Sequence, residues 1–192
     1  MKLIPCICGP KLTLEKARTL EVNFHSTATL PEQITEIAIG QPAPIHSYRT
    51  DFLFTYDIFP SSLMRAEPQW VHEQRAMRVG DIIVQRAVLP PIGFGLCAEF
   101  AVRISTVFSH PTKIGFAYET LTGHVERGVS EFYFEDRNGA IFFIIHTHSE
   151  PGHWLSRLGG SFFTLPYQRW CTRQALRHVK KCFYRDNPNV AA

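Results

Sequence analysis

No apolar run in this sequence approaches the length of a bilayer span, and neither an internal repeat nor a low-complexity tract interrupts it. The opening, MKLIPCICGPKLTLEK, has one positive residue ahead of a short apolar run broken by Pro5 and Gly9, which makes a poor signal peptide. There is no GxSxG elbow and no P-loop. Gly93-Phe-Gly95 lacks the third glycine and the strand-to-helix setting of a dinucleotide fingerprint, so a serine-hydrolase elbow and the common nucleotide cradles are excluded. No RNP-like motif accompanies the aromatic residues, which reads against nucleic acid as a partner. The 5 cysteines are an odd number without CxxC spacing. The expectation is a reduced, cytoplasmic chain with inert thiols and no cofactor, in which Cys6 and Cys8, two residues apart, leave a redox or metal role open.

The sequence is rich in phenylalanine: 15 of 192 residues, spread over nearly the whole chain, suggest a core or an apolar pocket built from aromatic side chains. A chain of this length buries one sizeable core and is expected to form one domain. Residues 1–47 read as an N-terminal helical extension and linker of that domain, 48–186 as its body and 187–192 as a tail. The net charge of +3 is unevenly placed. Between Pro151 and Arg185 stand Arg157, Arg169, Arg173, Arg177, Lys180, Lys181 and Arg185 and no acid, leaving about −4 for the rest. Such a basic face is either a solvated helix surface whose cations complement the helix dipole or a contact for phosphate and anionic lipid.

Periodicity predicts a short helix over Thr13–Val22 with Thr13 as its cap, and a second over Pro31–Ile39. The aromatic stretch Tyr48–Phe59 reads as the first strand. A helix is expected within Pro60–Val79, its best part from Pro68 to the stop at Gly80. Strands follow at Asp81–Leu89, Cys97–Phe108, Lys113–Leu121, Val129–Glu135 and Ala140–His148, joined by Pro90–Gly95, His110-Pro111-Thr112 and other short turns. Short connections imply an antiparallel sheet. After a connection over Pro151–Gly160, Thr164–Arg185 forms the longest helix, with Tyr167, Trp170, Cys171, Ala175, Val179, Cys182 and Phe183 as one apolar stripe.

Asp136-Arg137-Asn138-Gly139 is the strongest hairpin signal, because Asn-Gly accepts the positive backbone angles of a tight turn. If Asn138 and Gly139 alone form the loop, Glu131 lies opposite His146, and Phe132, Phe134, Ile141, Phe143 and Ile145 share an apolar face. If Arg137–Gly139 form a bulged loop, Phe132 and Phe134 share theirs with Phe142, Ile144 and His146. The first register segregates apolar from polar residues more completely, and burial usually fixes register.

The stretch Gly115–Gly128, GFAYETLTGHVERG, resembles the GFAYGTLPGHPExGE signature of an uncharacterised bacterial and plant family catalogued only as a domain of unknown function. The likeness extends through Trp70, His72, Phe132, Gly139, Ser149–Pro151, Trp154-Leu155 and Gln168–Arg173, roughly the last two thirds of the chain. It departs at Glu119, where Gly is usual, at Thr122 and Val125, where Pro is usual, and at Val129, where an acid is usual. The order of strands and the long last helix are also similar to the helix-grip fold of START domains and birch-pollen-allergen-like proteins. That resemblance implies an α+β fold in which a curved antiparallel sheet grips the C-terminal helix, with an apolar cavity between them.

Three functions remain in view. The first is a binding module for a small apolar or amphipathic ligand, with Phe132, Phe134, Phe143 and Ile145 on its wall and Arg103, Tyr118, Glu119 and His124 orienting the ligand. The second is an enzyme on the same scaffold, with His124 and Glu126 or Glu131 as acid and base. The third is docking of the basic helix on an anionic membrane. Glu99 and Glu131 read as outward-facing positions, and His124 as either a turn cap or a ligand contact. His146 and His148, about 6.5–7 Å apart on one strand face, are weak metal candidates, with Glu131, His124 or His153 to complete a set.

Overall fold

The computed structural model describes residues 2–5, 11–40, 43–88, 96–152 and 165–190. Eight strands form one antiparallel sheet: β1 (Lys2–Pro5), β2 (Glu32–Ala38), β3 (Met64–Pro68), β4 (Ile82–Val88), β5 (Leu96–His110), β6 (Lys113–Thr120), β7 (Glu126–Arg137) and β8 (Ala140–Pro151). Their order is β2-β8-β7-β6-β5-β4-β3, with β1 pairing β5 beyond the end of β6. Short helices α1 (Leu14–Arg18), α2 (Asp51–Phe54) and α3 (Gln69–His72) precede the long α4 (Leu165–Asp186). The fold is α+β, a curled sheet closed by its C-terminal helix, as the sequence led us to expect.

The β7–β8 hairpin settles the register. Arg137 pairs with Ala140 and Glu131 with His146, so Asn138 and Gly139, at φ 56° and 85°, form a two-residue loop. Phe132 then faces Ile145 and Phe134 faces Phe143 across the strands. Curvature has two local sources. Ser105 is left out of the β5–β6 ladder, where the register shifts between Ile104 and Thr106, and such a bulge bends the strand and increases its twist. At Gly128, φ is +145° and a Cβ would lie 1.9 Å from the His148 carbonyl oxygen, so β7 and β8 approach there in a way only glycine permits.

Three expectations are corrected. Pro31–Ile39 is not a helix but holds edge strand β2, in which Thr35 and Ile37 turn inward, followed by buried Ile39 just past its end, and β-branched residues suit the pleat. Tyr48–Phe59 is not a strand: Asp51–Phe54 make one helical turn, and Tyr56 at φ 64° could not continue a ladder. Its apolar residues are nevertheless core, with Phe52, Leu53, Tyr56 and Ile58 buried. Pro60–Val79 is not one helix either; β3 pairs with β4, and only Gln69–His72 is helical, anchored by Trp70, whose Nε1 donates to the Phe54 carbonyl at 2.6 Å. By contrast α1 forms as expected, Thr13 accepting from the Lys16 N–H at 3.3 Å, and packs Ala17 on the outer face of the sheet with Ile82, Val84 and Ala101.

Only part of α4 grips. Ala175, Leu176, Val179, Cys182 and Phe183 are buried against the inner sheet face, whereas Trp170, at 36%, is exposed and Tyr167 and Cys171 are only partly covered. The stripe read as continuous is therefore sealed over its second half. Asn187 fixes that end, its side chain bonding Arg49 N–H at 2.8 Å and the carbonyls of Arg49 and Phe183 at 3.0 and 2.9 Å. Cys97 is disulfide-bonded, so the expectation of a fully reduced chain is corrected; Cys171 and Cys182 are free thiols, and Cys6 and Cys8 lie outside the described residues. Among the described residues no helix is long and apolar enough to cross a membrane.

Candidate functional site

The inward positions of β6, β7 and β8 change character along the strands. Near the β7–β8 hairpin they are aromatic: Phe134 lies 5.1 Å from Phe143 and 5.7 Å from Phe183 by ring centroids, and Phe116 stacks on Phe132 at 5.7 Å. Phe116, Phe134, Phe143 and Phe183 keep no exposed area, so this end is filled rather than hollow. Two residues further along, Tyr118 pairs with Ser130 and Ser130 with Thr147; beyond them come Gly128, Ser149 and Glu126. Strand alternation thus aims Tyr118, Ser130 and Glu126 into the same interior as the phenylalanines.

A polar cluster results. Gln85 of β4, 1% exposed, donates through Nε2 to the Tyr56 hydroxyl, while its Oε1 is buried without a partner among the described residues. The Tyr118 hydroxyl faces Ser130, Tyr56 and Gln85; burial and then the nearby Glu126 charge push its pKa up to about 12, so the phenol stays protonated. Burial also raises the Glu126 carboxyl, which accepts from Gln168 Nε2 of α4 and meets Ser149. Glu126 and Gln168 therefore join sheet and helix along the first half of α4, where Trp170 is exposed. Positive φ at Tyr56 is uncommon for a bulky residue, and it holds the hydroxyl on Gln85.

His124 sits at the rim and closes the turn. Its Nδ1 accepts the Glu126 N–H at 3.0 Å, and its ring packs edge-on against Phe100 at 4.4 Å. Burial lowers its pKa to about 3. The imidazole is thus neutral at physiological pH, with its hydrogen on Nε2.

The other candidates lie across the sheet. Arg103 and Glu119 are opposite neighbours on β5 and β6 and face each other at 3.7 Å on the outer surface, where Arg103 also donates to the Leu20 carbonyl at 2.8 Å. Glu131 is outward too, paired with Lys113 at 3.1 Å. Glu99, expected in solvent, is instead buried beneath the N-terminal segment, taking Arg86 at 2.8 Å and the Lys11 and Leu12 amides. His146 and His148 share the outer face with Glu32, at 2.8 and 3.8 Å from its carboxylate. His153, proposed to complete a metal set, lies outside the described residues, as do the Pro90–Gly95 loop, Trp154-Leu155 and Arg157. Sequence reading missed Gln85, Tyr56, Glu32 and the partnership of Gln168 with Glu126; a polar residue directly after the apolar run Ile82-Ile83-Val84 of β4 was the signal available for Gln85.

Two of the clefts on the described surface lie beside the α2 turn. One of about 370 Å³ is lined by Tyr56, Asp57, Phe59, Met64, Ala66 and His178, and reaches the polar cluster through Tyr56. The other, of about 580 Å³, lies against Phe54, Trp70, Met77, Val107 and Phe108, on the far side of α2.

The chain is similar to known proteins at two levels. A UPF0548 protein of Deinococcus radiodurans is 31% identical over 93 residues, 48% of this chain and 44% of that protein. A UPF0548 protein of Arabidopsis thaliana is 30% identical over 101 residues, 50% and 49% respectively, so the match spans about half the length of these relatives or less. Among solved structures, ginseng major latex-like protein 151 from Panax ginseng superposes with TM-score 0.53 at 10% identity over 80% of this chain and 97% of that one. The di-domain ARO/CYC StfQ from the steffimycin biosynthetic pathway gives 0.52 at 11% identity over 83% and 52%. At such identities the likeness is one of fold. A family model described as a domain of unknown function, DUF1990, matches residues 24–178, the segment that carries β2 through most of α4 and every residue of the polar cluster, and the chain belongs to that family.

Proposed function

We propose that the protein binds a small amphipathic molecule at the polar end of the space between sheet and α4. The observation that carries this reading is the buried Gln85 Oε1 without a partner, set beside Tyr118, Tyr56 and Ser130. An unsatisfied buried acceptor costs about 1–3 kcal/mol, and a ligand hydroxyl or N–H would satisfy it. Phe132, Ile145 and Tyr118 would line the apolar part of the ligand, while Phe134 and Phe143 close the far end. No lysine or arginine belongs to the described cluster of Tyr118, Tyr56, Gln85, Ser130 and Glu126, so a neutral polar head suits it better than a carboxylate or phosphate. StfQ, by its description a di-domain ARO/CYC from the steffimycin biosynthetic pathway, shares the fold.

The test is mass spectrometry of gently purified protein, native and then denatured. A stoichiometric small molecule retained by the wild type and lost in Gln85→Leu and Tyr118→Phe is the expected result; bare protein that takes up no neutral amphipathic fluorophore would refute the reading. Catalysis on the same scaffold would draw on Glu126 and on a His124 imidazole that is neutral near pH 7, because Glu131 faces outward, paired with Lys113.

A further inference from the structure

We propose that Asp57, His178 and Cys182 form a binding site for a single zinc-class divalent cation. His178 and Cys182 stand one turn apart on α4, and the turn after α2 brings Asp57 to them. The imidazole Nε2 lies 2.7 Å from Asp57 Oδ1, while Cys182 Sγ lies 3.5 Å from both Asp57 Oδ2 and His178 Nε2. A tetrahedral zinc with Zn–S of about 2.3 Å and Zn–N and Zn–O of about 2.0–2.2 Å holds its donors roughly 3.3–3.6 Å apart. The two sulfur distances already match that range, and the 2.7 Å contact between the imidazole and the carboxylate has to open to it for the ion to enter.

The arrangement does not fit a nucleophilic triad. There a histidine reaches the thiol with one ring nitrogen and the carboxylate with the other. In this cluster Nε2 faces both, so the donors converge on a point. One sulfur, one imidazole and one carboxylate favour zinc, or cobalt in its place, over magnesium or calcium, which take oxygen ligands. Asp57 and His178 line the cleft of about 370 Å³, which gives an ion its route in and leaves the fourth position to water or to a donor within the cleft. Arg185 is the competing cation, with Nη1 3.6 Å from Asp57 Oδ2. It is exposed and already bound to Asp186 at 2.7 Å, so it can leave Asp57 while keeping that partner.

The experiment is titration of the metal-free full-length protein with cobalt(II), followed by displacement with zinc. A thiolate-to-cobalt charge-transfer band saturating at one equivalent is expected, absent in Cys182→Ser and unchanged in Cys171→Ser. His178→Ala and Asp57→Asn should weaken binding at least roughly tenfold, the scale on which even outer partners of a bound metal matter. Both residues are partly exposed and decide the matter if Cys182→Ser fails to fold. The outer-face cluster of Glu32, His146 and His148 serves as control. A band that survives Cys182→Ser, binding lost in His146→Ala with His148→Ala but kept in His178→Ala, or no cobalt binding at all would each overturn the assignment.

Discussion

The two ends of the space inside the sheet are built by the same three strands and obey opposite rules. Toward the β7–β8 hairpin, Phe134, Phe143 and Phe183 interlock and lose all their exposed area, and each buried ring of this size contributes about 1.5–3 kcal/mol. Toward the start of β7 the same inward positions carry Tyr118, Ser130 and Glu126, and across from them Gln85 keeps a buried oxygen without a partner. One end maximises packing. The other tolerates a buried polar atom without a partner among the described residues and leaves Trp170 of α4 exposed. A protein that needed only stability would have no use for an unpaired buried acceptor, which costs about 1–3 kcal/mol, whereas apolar groups of the same shape can replace a polar pair at little or no cost.

The largest effect that separates the two ends is expected from Phe143→Ala. Truncating a fully packed phenylalanine costs about 3–5 kcal/mol, and denaturant unfolding should show it. A loss under about 1 kcal/mol would mean that the hairpin end can collapse or was hollow, and the contrast would fail. Next comes His124→Ala at the rim. It orphans the Glu126 N–H, at a cost of about 1–3 kcal/mol, and removes the ring on Phe100. His124 also leaves a signature in pH. Its folded pKa of about 3 lies below the ordinary 6.5, so its contribution is present above pH 6.5 and is lost as pH falls toward 3. The variant should lose less stability than wild type across that window; parallel profiles would show that His124 titrates as an exposed residue.

Glu126→Gln should act with the opposite sign and a smaller amplitude. A carboxyl raised by burial contributes stability below its unfolded value of 4.5 that is lost as pH rises through the folded value. Replacing it removes that loss, so at neutral pH the variant should melt no lower than wild type while ligand uptake falls. Equal uptake would place the ligand elsewhere.

How much of this was legible in the sequence follows from which patterns are local. The Asn138-Gly139 turn left two registers open, the segregation of Phe132, Phe134, Phe143 and Ile145 on one face favoured the two-residue loop, and the strand pairing agrees. Pro31–Ile39 was misread because its pairing is remote: β2 is a strand only because β8, more than a hundred residues away, supplies its ladder. Tyr48–Phe59 has the composition of a strand but meets the core through a single helical turn. In the candidate site, Tyr118, His124 and Glu126 stand in one motif and could be singled out. Gln85, Tyr56 and Gln168 come from three distant elements, and no spacing in the chain announces that they meet. Strand alternation did put Glu119 next to Tyr118 in sequence, and the same alternation sends their side chains to opposite faces.

That last pair gives the smallest and sharpest test. Glu119→Gln breaks only the 3.7 Å pair with Arg103, whose bond to the Leu20 carbonyl survives. Both partners are partly exposed, and surface pairs of this kind contribute about 0–1 kcal/mol. Stability should therefore change by less than about 1 kcal/mol, less still in high salt, where screening already removes most of the attraction. Uptake of a neutral amphipathic probe should match wild type, whereas Tyr118→Phe, one residue earlier and facing inward, should reduce it. If Glu119→Gln were the variant that lost uptake, the ligand would lie on the convex face beneath the N-terminal segment, and the division between a packed end and a binding end of the interior would no longer describe the function.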